Sequence, residues 1–187
     1  TCSLREFVAS MDASDLCSLA CGIGMDLSGL PDSVQEDPDF HPPFDGMIGG
    51  GGMQVPGAAG ETADLWEKYD IPPISLADGP AGIRIAQQVK DEDGEVIRQQ
   101  LCTAFPVGSL LACSWDGALL ERFGQAVARE MVEYGVDIWL APGMNIHRNP
   151  LCGRNFEYFS EDPLVAGFCA AAITKGVQQA GVGVTIK

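Results

Sequence analysis

Three residues stand where their type and neighbours could do chemistry: Asp78, Arg154 and Lys187. Asp78 follows the apolar run Ile74-Ser75-Leu76-Ala77 and precedes Gly79-Pro80. A carboxylate placed at once before Gly-Pro sits on a stiff turn, with its oxygens fixed in direction. It suits a bidentate acceptor for two neighbouring hydroxyls, or a turn aspartate that caps its own backbone. Arg154 lies in Gly153-Arg154-Asn155-Phe156-Glu157-Tyr158-Phe159. Its guanidinium offers five donors in a planar fork, for a ligand or for an ion pair with Glu157 or Glu161. Phe156, Tyr158 and Phe159 either wall a pocket for a sugar ring or fill the core under the loop; core packing is the expectation for any one of them. Lys187 closes the apolar stretch Val182 to Ile186.

Other polar residues read as structural. Arg148 is expected to fix its loop through an ion pair. His41 and His147 have no ligand spacing, so neither a metal nor another cofactor is expected. Gly49 to Gly52 lack the lysine and the strand-then-helix context of a phosphate loop and read as a loop. A pair of carboxylates for glycosidic cleavage must stand about 5 to 5.5 Å apart, or about 6.5 to 9.5 Å, depending on stereochemistry. Asp78, Glu157 and Glu161 are the candidates, but Glu161-Asp162-Pro163 is better explained as a helix start. No catalytic pair emerges from these residues.

Charge narrows the partners. The formal net charge is −15, which repels nucleic acid and anionic lipid and is compatible with a neutral substrate. A hydrophobic fraction of 46% in 187 residues supports one cored domain. Seven cysteines in no zinc or redox spacing read as buried free thiols in a reducing compartment. No apolar run reaches the roughly 20 residues that span a bilayer, and the first residues lack a secretory pattern. The expected location is cytoplasmic.

The elements that must position these residues fall into three segments. Residues 1–24 form a helical leader, with a capping box at Ser3 and Glu6 and a second cap at Asp12. Residues 25–69 are rich in glycine and proline and read as a long irregular loop. Residues 70–187 alternate apolar runs with helices. Strands are expected at 74–77, 104–106, 136–141 and 182–186, with a charged turn at 91–95. Helices are expected at 115–134, ended by Gly135, and from Pro163 to about Ala180, capped by Asp162. Apolar strands alternating with amphipathic helices predict parallel β/α units. A closed eight-fold barrel needs about 250 residues, so the expectation is roughly the N-terminal half of a (β/α)8 TIM-type barrel, and a piece of something longer. An uncovered strand edge predicts dimerisation of the piece by itself. Asp78 and Lys187 end strands, and Arg154 follows another, at the edge where such barrels build active sites.

At this point LADGPAGIR (76–84), WLAPGMNIHRNPLCGRNFEYFSEDPLVAG (139–167) and VGVTIK (182–187) carry a specific resemblance. The chain resembles glycoside hydrolase family 3, and within it the β-glucosidase branch, over nearly its whole length from Leu4. The least typical parts are the glycine-rich loop and the DEDGEV turn. The resemblance implies a barrel domain and retaining hydrolysis of terminal β-linked glucose through a covalent glycosyl-enzyme. It implies that Asp78, Arg154 and Lys187 hold hydroxyls of the terminal sugar. It also implies that the aspartate nucleophile and the glutamate acid/base lie outside this segment, in the remaining part of the enzyme. Alternatives are a non-catalytic carbohydrate-binding half-barrel, or a xylosidase or N-acetylglucosaminidase specificity on the same frame.

Overall fold

The computed structural model describes residues 3–22, 54–90, 93 and 95–187. Most of the glycine- and proline-rich segment, with Gly49 to Gly52, His41 and Cys2, lies outside the described residues, as does most of the 91–95 turn.

Two short helices, α1 (Leu4–Ala9) and α2 (Ala13–Cys21), form the leader. The capping box forms as expected: Ser3 Oγ accepts from the Glu6 N–H, and the Glu6 carboxylate accepts from the Ser3 N–H. Asp12 opens α2 without a side-chain cap bond. Its carboxylate instead takes Lys68 Nζ at 2.6 Å, and Asp15 shares the same ammonium. Lys68 belongs to a single-turn helix, α3 (Trp66–Tyr69).

The main sheet runs in the order β1 (Gly60–Glu61), β2 (Ser75–Ala77), β5 (Ile138–Trp139) and β6 (Gly183–Val184). β2, β5 and β6 are parallel, which agrees with the expected β/α units and fold class. β1 is antiparallel to β2, a departure from the all-parallel expectation. Asp137 sets the register: its carboxylate accepts both the N–H and the hydroxyl of buried Ser75, at 2.8 and 3.0 Å. The hydrogen-bond ladder continues past the short strands, with Leu140 N–H bonded to Ala77 O and Thr185 N–H to Trp139 O.

The expected strand at 104–106 does not form. Phe105 packs its ring on Phe123, 5.2 Å between centroids, so its apolar character comes from core packing and not from a ladder. In its stead the chain makes an exposed hairpin, β3 (Gln88–Lys90) with β4 (Val96–Gln99). This pair lacks an apolar face, so period-2 alternation gave no sign of it. A short helix, α4 (Gly108–Ala112), was also not expected.

Two long helices back the sheet. α5 (Gly117–Tyr134) is capped by Asp116 and ended by Gly135 at φ 77°. It buries Leu120, Phe123, Val127 and Met131, while Leu119 stays partly exposed. α6 (Pro163–Gln178) starts as predicted, with Asp162 accepting from Leu164 and Val165. The two helices touch backbone to backbone: a Cβ on Gly176 would sit 2.1 Å from the Glu121 carbonyl. Trp139 is fully buried at the centre of the core. Among the described residues no helix is long and apolar enough to cross a membrane.

The cysteine expectation is corrected for most thiols. Cys169 is buried and Cys102 half-buried, but Cys17, Cys21, Cys113 and Cys152 are exposed. The cause is local: α2 buries no residue, Cys113 caps the outer end of α4, and Cys152 sits in an open loop. Arg148 is likewise exposed and makes no ion pair among the described residues.

Candidate functional site

Because β2, β5 and β6 are parallel, their C-terminal ends meet at one edge, and the residues that follow them are delivered there together. Asp78 follows β2. Its turn is closed by Gly82 N–H to Gly79 O at 3.0 Å and by Arg84 N–H to Asp78 O at 2.8 Å. Gly79 has φ 113°, and a Cβ there would meet Gly82 O at 2.1 Å, so the turn accepts no side chain at that position. From beneath, the Trp139 indole N–H donates to Gly79 O at 2.8 Å. The core therefore grips the turn that carries the carboxylate.

Lys187 follows β6, and its backbone is tied to the segment after β5: Lys187 N–H to Pro142 O and Met144 N–H to Lys187 O. Its Nζ donates to Asp78 Oδ1 at 2.6 Å, across 109 residues of sequence. Burial pushes the Asp78 carboxyl up. The Lys187 and Gly79 hydrogen bonds and the Lys187 and Arg84 charges outweigh that and hold it below the ordinary aspartate value of 3.8. At neutral pH Asp78 is an acceptor and not a proton donor.

Arg154 caps a 3₁₀ turn, Asn155–Glu157. Its Nε donates to the Glu157 carboxylate, and its guanidinium lies 5.8 Å from the Tyr158 ring centroid. The hydrogen bond to Glu157, that residue's charge, and further off Asp78, all raise the Arg154 pKa. Glu157 is thus the partner, of the two carboxylates expected from sequence. The three rings divide between the two roles considered for them: Tyr158 and Phe159 are buried, and Phe156 is exposed.

Asp78, Arg154 and Lys187 all line one cleft of about 730 Å³, a size typical of small-molecule sites. Arg84 and Phe156 line it too. The sequence reading gave Arg84 no role. The signal was available: a Gly-Pro-Ala-Gly turn folds the chain back, and Asp78 and Arg84 form a bridge across it. Glu157 also faces the cleft but is paired with Arg154. Both cleft carboxylates are therefore bound to cations. Glu161 is exposed beside the α6 cap. The Cys102 thiol at the cleft wall is pushed up by burial and then by the Glu130 and Glu133 charges, which keeps it protonated and a poor nucleophile.

Set against known proteins, the chain matches the family model described as "Glycosyl hydrolase family 3 N terminal domain" over residues 50–187. It is 46% identical over 129 residues to the thermostable beta-glucosidase B of Acetivibrio thermocellus, covering 66% of this chain and 17% of that enzyme. It is 40% identical over 129 residues to an exo-alpha-(1->6)-L-arabinopyranosidase of Bifidobacterium longum, with the same coverage of 66% and 17%. Its fold superposes on beta-glucosidase 3B of Thermotoga neapolitana, solved in complex with glucose, with a TM-score of 0.79 and 42% identity, covering 98% of this chain and 22% of that one. The chain thus spans only a small fraction of the length of the curated relatives it matches.

Proposed function

The chain belongs to glycosyl hydrolase family 3, and from that premise we propose that it is one segment of a longer retaining β-glucosidase and supplies ligands for the terminal glucose. The observation that carries the reading is the 2.6 Å Asp78–Lys187 pair at the cleft wall, with Arg84 and Arg154 beside it. Each sugar hydroxyl needs both an acceptor and a donor. An ionised aspartate accepts only, with two oxygens and several lone pairs, one of which is occupied by Lys187. Lysine has three N–H donors, of which one goes to Asp78 and two remain. The guanidinium of Arg154 uses Nε on Glu157 and has its terminal nitrogens left to donate. Such a set grips vicinal hydroxyls in a fixed orientation. Bond cleavage, in this reading, falls to a nucleophile and an acid/base supplied from outside this segment. A field of −15 does not oppose a neutral sugar.

The test is Asp78→Ala in the complete enzyme with 4-nitrophenyl β-glucoside. Hydroxyl contacts that tighten in the transition state are worth several kcal/mol together, so kcat/KM should fall by at least about a hundredfold. Near-normal kinetics would remove Asp78 from the site. A second reading, preference for another pyranoside, is favoured by the likeness to the Bifidobacterium longum enzyme. Assay of nitrophenyl glucoside, xyloside, N-acetylglucosaminide and arabinopyranoside side by side decides between them.

A further inference from the structure

A buried polar side chain loses its water and needs hydrogen bonds in return, so its partners show what it holds. Among the described residues four such side chains are buried: Glu61, Ser75, Gln100 and Glu157. Ser75 serves strand register, Glu157 holds Arg154, and Glu61 accepts from the Gln54 N–H. Gln100 is the most deeply buried of the four, at 0% exposure, and it lies in the cleft wall. Its amide is used at both ends. Nε2 donates to Ala86 O at 2.8 Å and to Pro56 O at 3.4 Å, and Oε1 accepts from Arg98 Nη2. Its backbone N–H donates to Gln87 O at 2.9 Å. One side chain thus joins three stretches of chain, around residues 56, 86 and 98. The first two also touch backbone to backbone. Ala86 N–H donates to Pro56 O at 2.9 Å, and a Cβ on Gly57 would meet Ala86 N at 2.2 Å.

Arg84 stands two residues before Ala86. Of the three cations that line the cleft, Lys187 is bound to Asp78 and Arg154 to Glu157. The Arg84 guanidinium makes no ion pair among the described residues. Its donors are left for a ligand, and its position is set by its stem and backbone. The stem lies on the Asp78 turn, where a Cβ on Gly79 would meet Arg84 Cγ at 2.8 Å. On one side the Arg84 N–H is anchored to Asp78 O at 2.8 Å. On the other side the anchor is Ala86, held by Pro56 through its N–H and by Gln100 through its carbonyl. We infer that Gln100 is a positioning residue for Arg84. It touches no substrate; it fixes the strand behind Arg84, so that the guanidinium meets the same hydroxyls that Asp78 accepts from. This rests on the proposed β-glucosidase reading, with Arg84 donating to the terminal sugar.

The experiment uses the complete enzyme and 4-nitrophenyl β-glucoside, assayed well below the unfolding temperature. Gln100→Met keeps the length of the side chain and removes the amide. With Arg84 intact, kcat/KM should fall roughly tenfold, since small displacements of a ligand group are costly. In an Arg84→Met background the same change should cost less than about twofold, because the group it positions is already gone. The unfolding midpoint should fall by a similar amount in both backgrounds, since that loss comes from the buried amide and not from Arg84. A residue that served stability alone would give equal kcat/KM losses in both backgrounds, or none in either. Each of those results would overturn the inference while the β-glucosidase reading survives. If Gln100→Met does not fold, Gln100→Asn, an amide on a shorter stem, goes through the same cycle under the same criterion. An unmutated enzyme that leaves the glucoside intact would remove that reading, and the inference with it.

Discussion

The Asp78 turn and the Arg154 loop reach the same cleft but are held in different ways. Asp78 is fixed from a distance: its ammonium partner is 109 residues away, and the indole that grips its turn belongs to another strand. Arg154 is fixed locally, by Glu157 three residues on and by a turn that Ser109 clasps from α4. The first arrangement exists only while three parallel strands keep their register. The second is largely a property of one loop and the helix beneath it. Damage to the core should therefore reach Asp78 before it reaches Arg154.

Trp139→Phe should give the largest effect among substitutions outside the cleft. It removes the N–H, leaving the Gly79 carbonyl with only the Gly82 N–H as donor, and it leaves a void beside the smaller ring, at a cost of about 1–3 kcal/mol together. Thermal unfolding of the complete enzyme should show the loss, and kcat/KM should drop with it because the Asp78 turn loosens. Gly176→Ala sharpens the comparison from the other side. Its Cβ would meet the Glu121 carbonyl at 2.1 Å and force α5 from α6, costing about 1–3 kcal/mol of stability. Because those helices back the sheet and do not touch the cleft, KM at a temperature well below unfolding should hold steady.

Ser109→Ala should do less, about 0.5–1.5 kcal/mol, since one shared hydroxyl proton is lost. It should raise KM through the Arg154 loop and leave the acid stability of the Asp78 pair untouched. The smallest effect concerns pH. The Asp78 carboxyl lies below its ordinary value of 3.8 in the folded chain. Its contribution is thus present above that value and is lost as pH falls below it. Unfolding midpoints of the unmutated enzyme and of Asp78→Asn should converge as pH drops below that value and stay parallel from pH about 5 upward.

Sequence showed the ends of this site better than its middle. Asp78 and the α6 cap were legible because Gly-Pro and Asp-Pro punctuate apolar runs, and such punctuation is local; Lys187 stood out only as the residue that follows the apolar stretch 182–186, and its role came from the family resemblance. Arg154 with Glu157 was legible as one of two pairings at close spacing. The pairing of Asp78 with Lys187 was not, since spacing along the chain carries no information about strand neighbours. Phe105 was misread as strand because an apolar ring under a helix and one on a ladder look alike in a short window. The hairpin at 88–99 was missed for the opposite reason, its residues being mostly polar and exposed. The exposed thiols of α2 show a third limit: helical spacing puts Cys17 and Cys21 on one face but does not say that the face is covered.

The most direct test of the central claim, that strand register builds Asp78 and Lys187 into a single sugar-holding unit, is a double-mutant cycle in the complete enzyme. Asp78→Asn, Lys187→Met and the double variant would be compared by kcat/KM on 4-nitrophenyl β-glucoside. The account predicts that the double variant is within about threefold of the worse single one, because either change already breaks the unit. Losses that multiply in full would mean that the two residues act independently, and would contradict it.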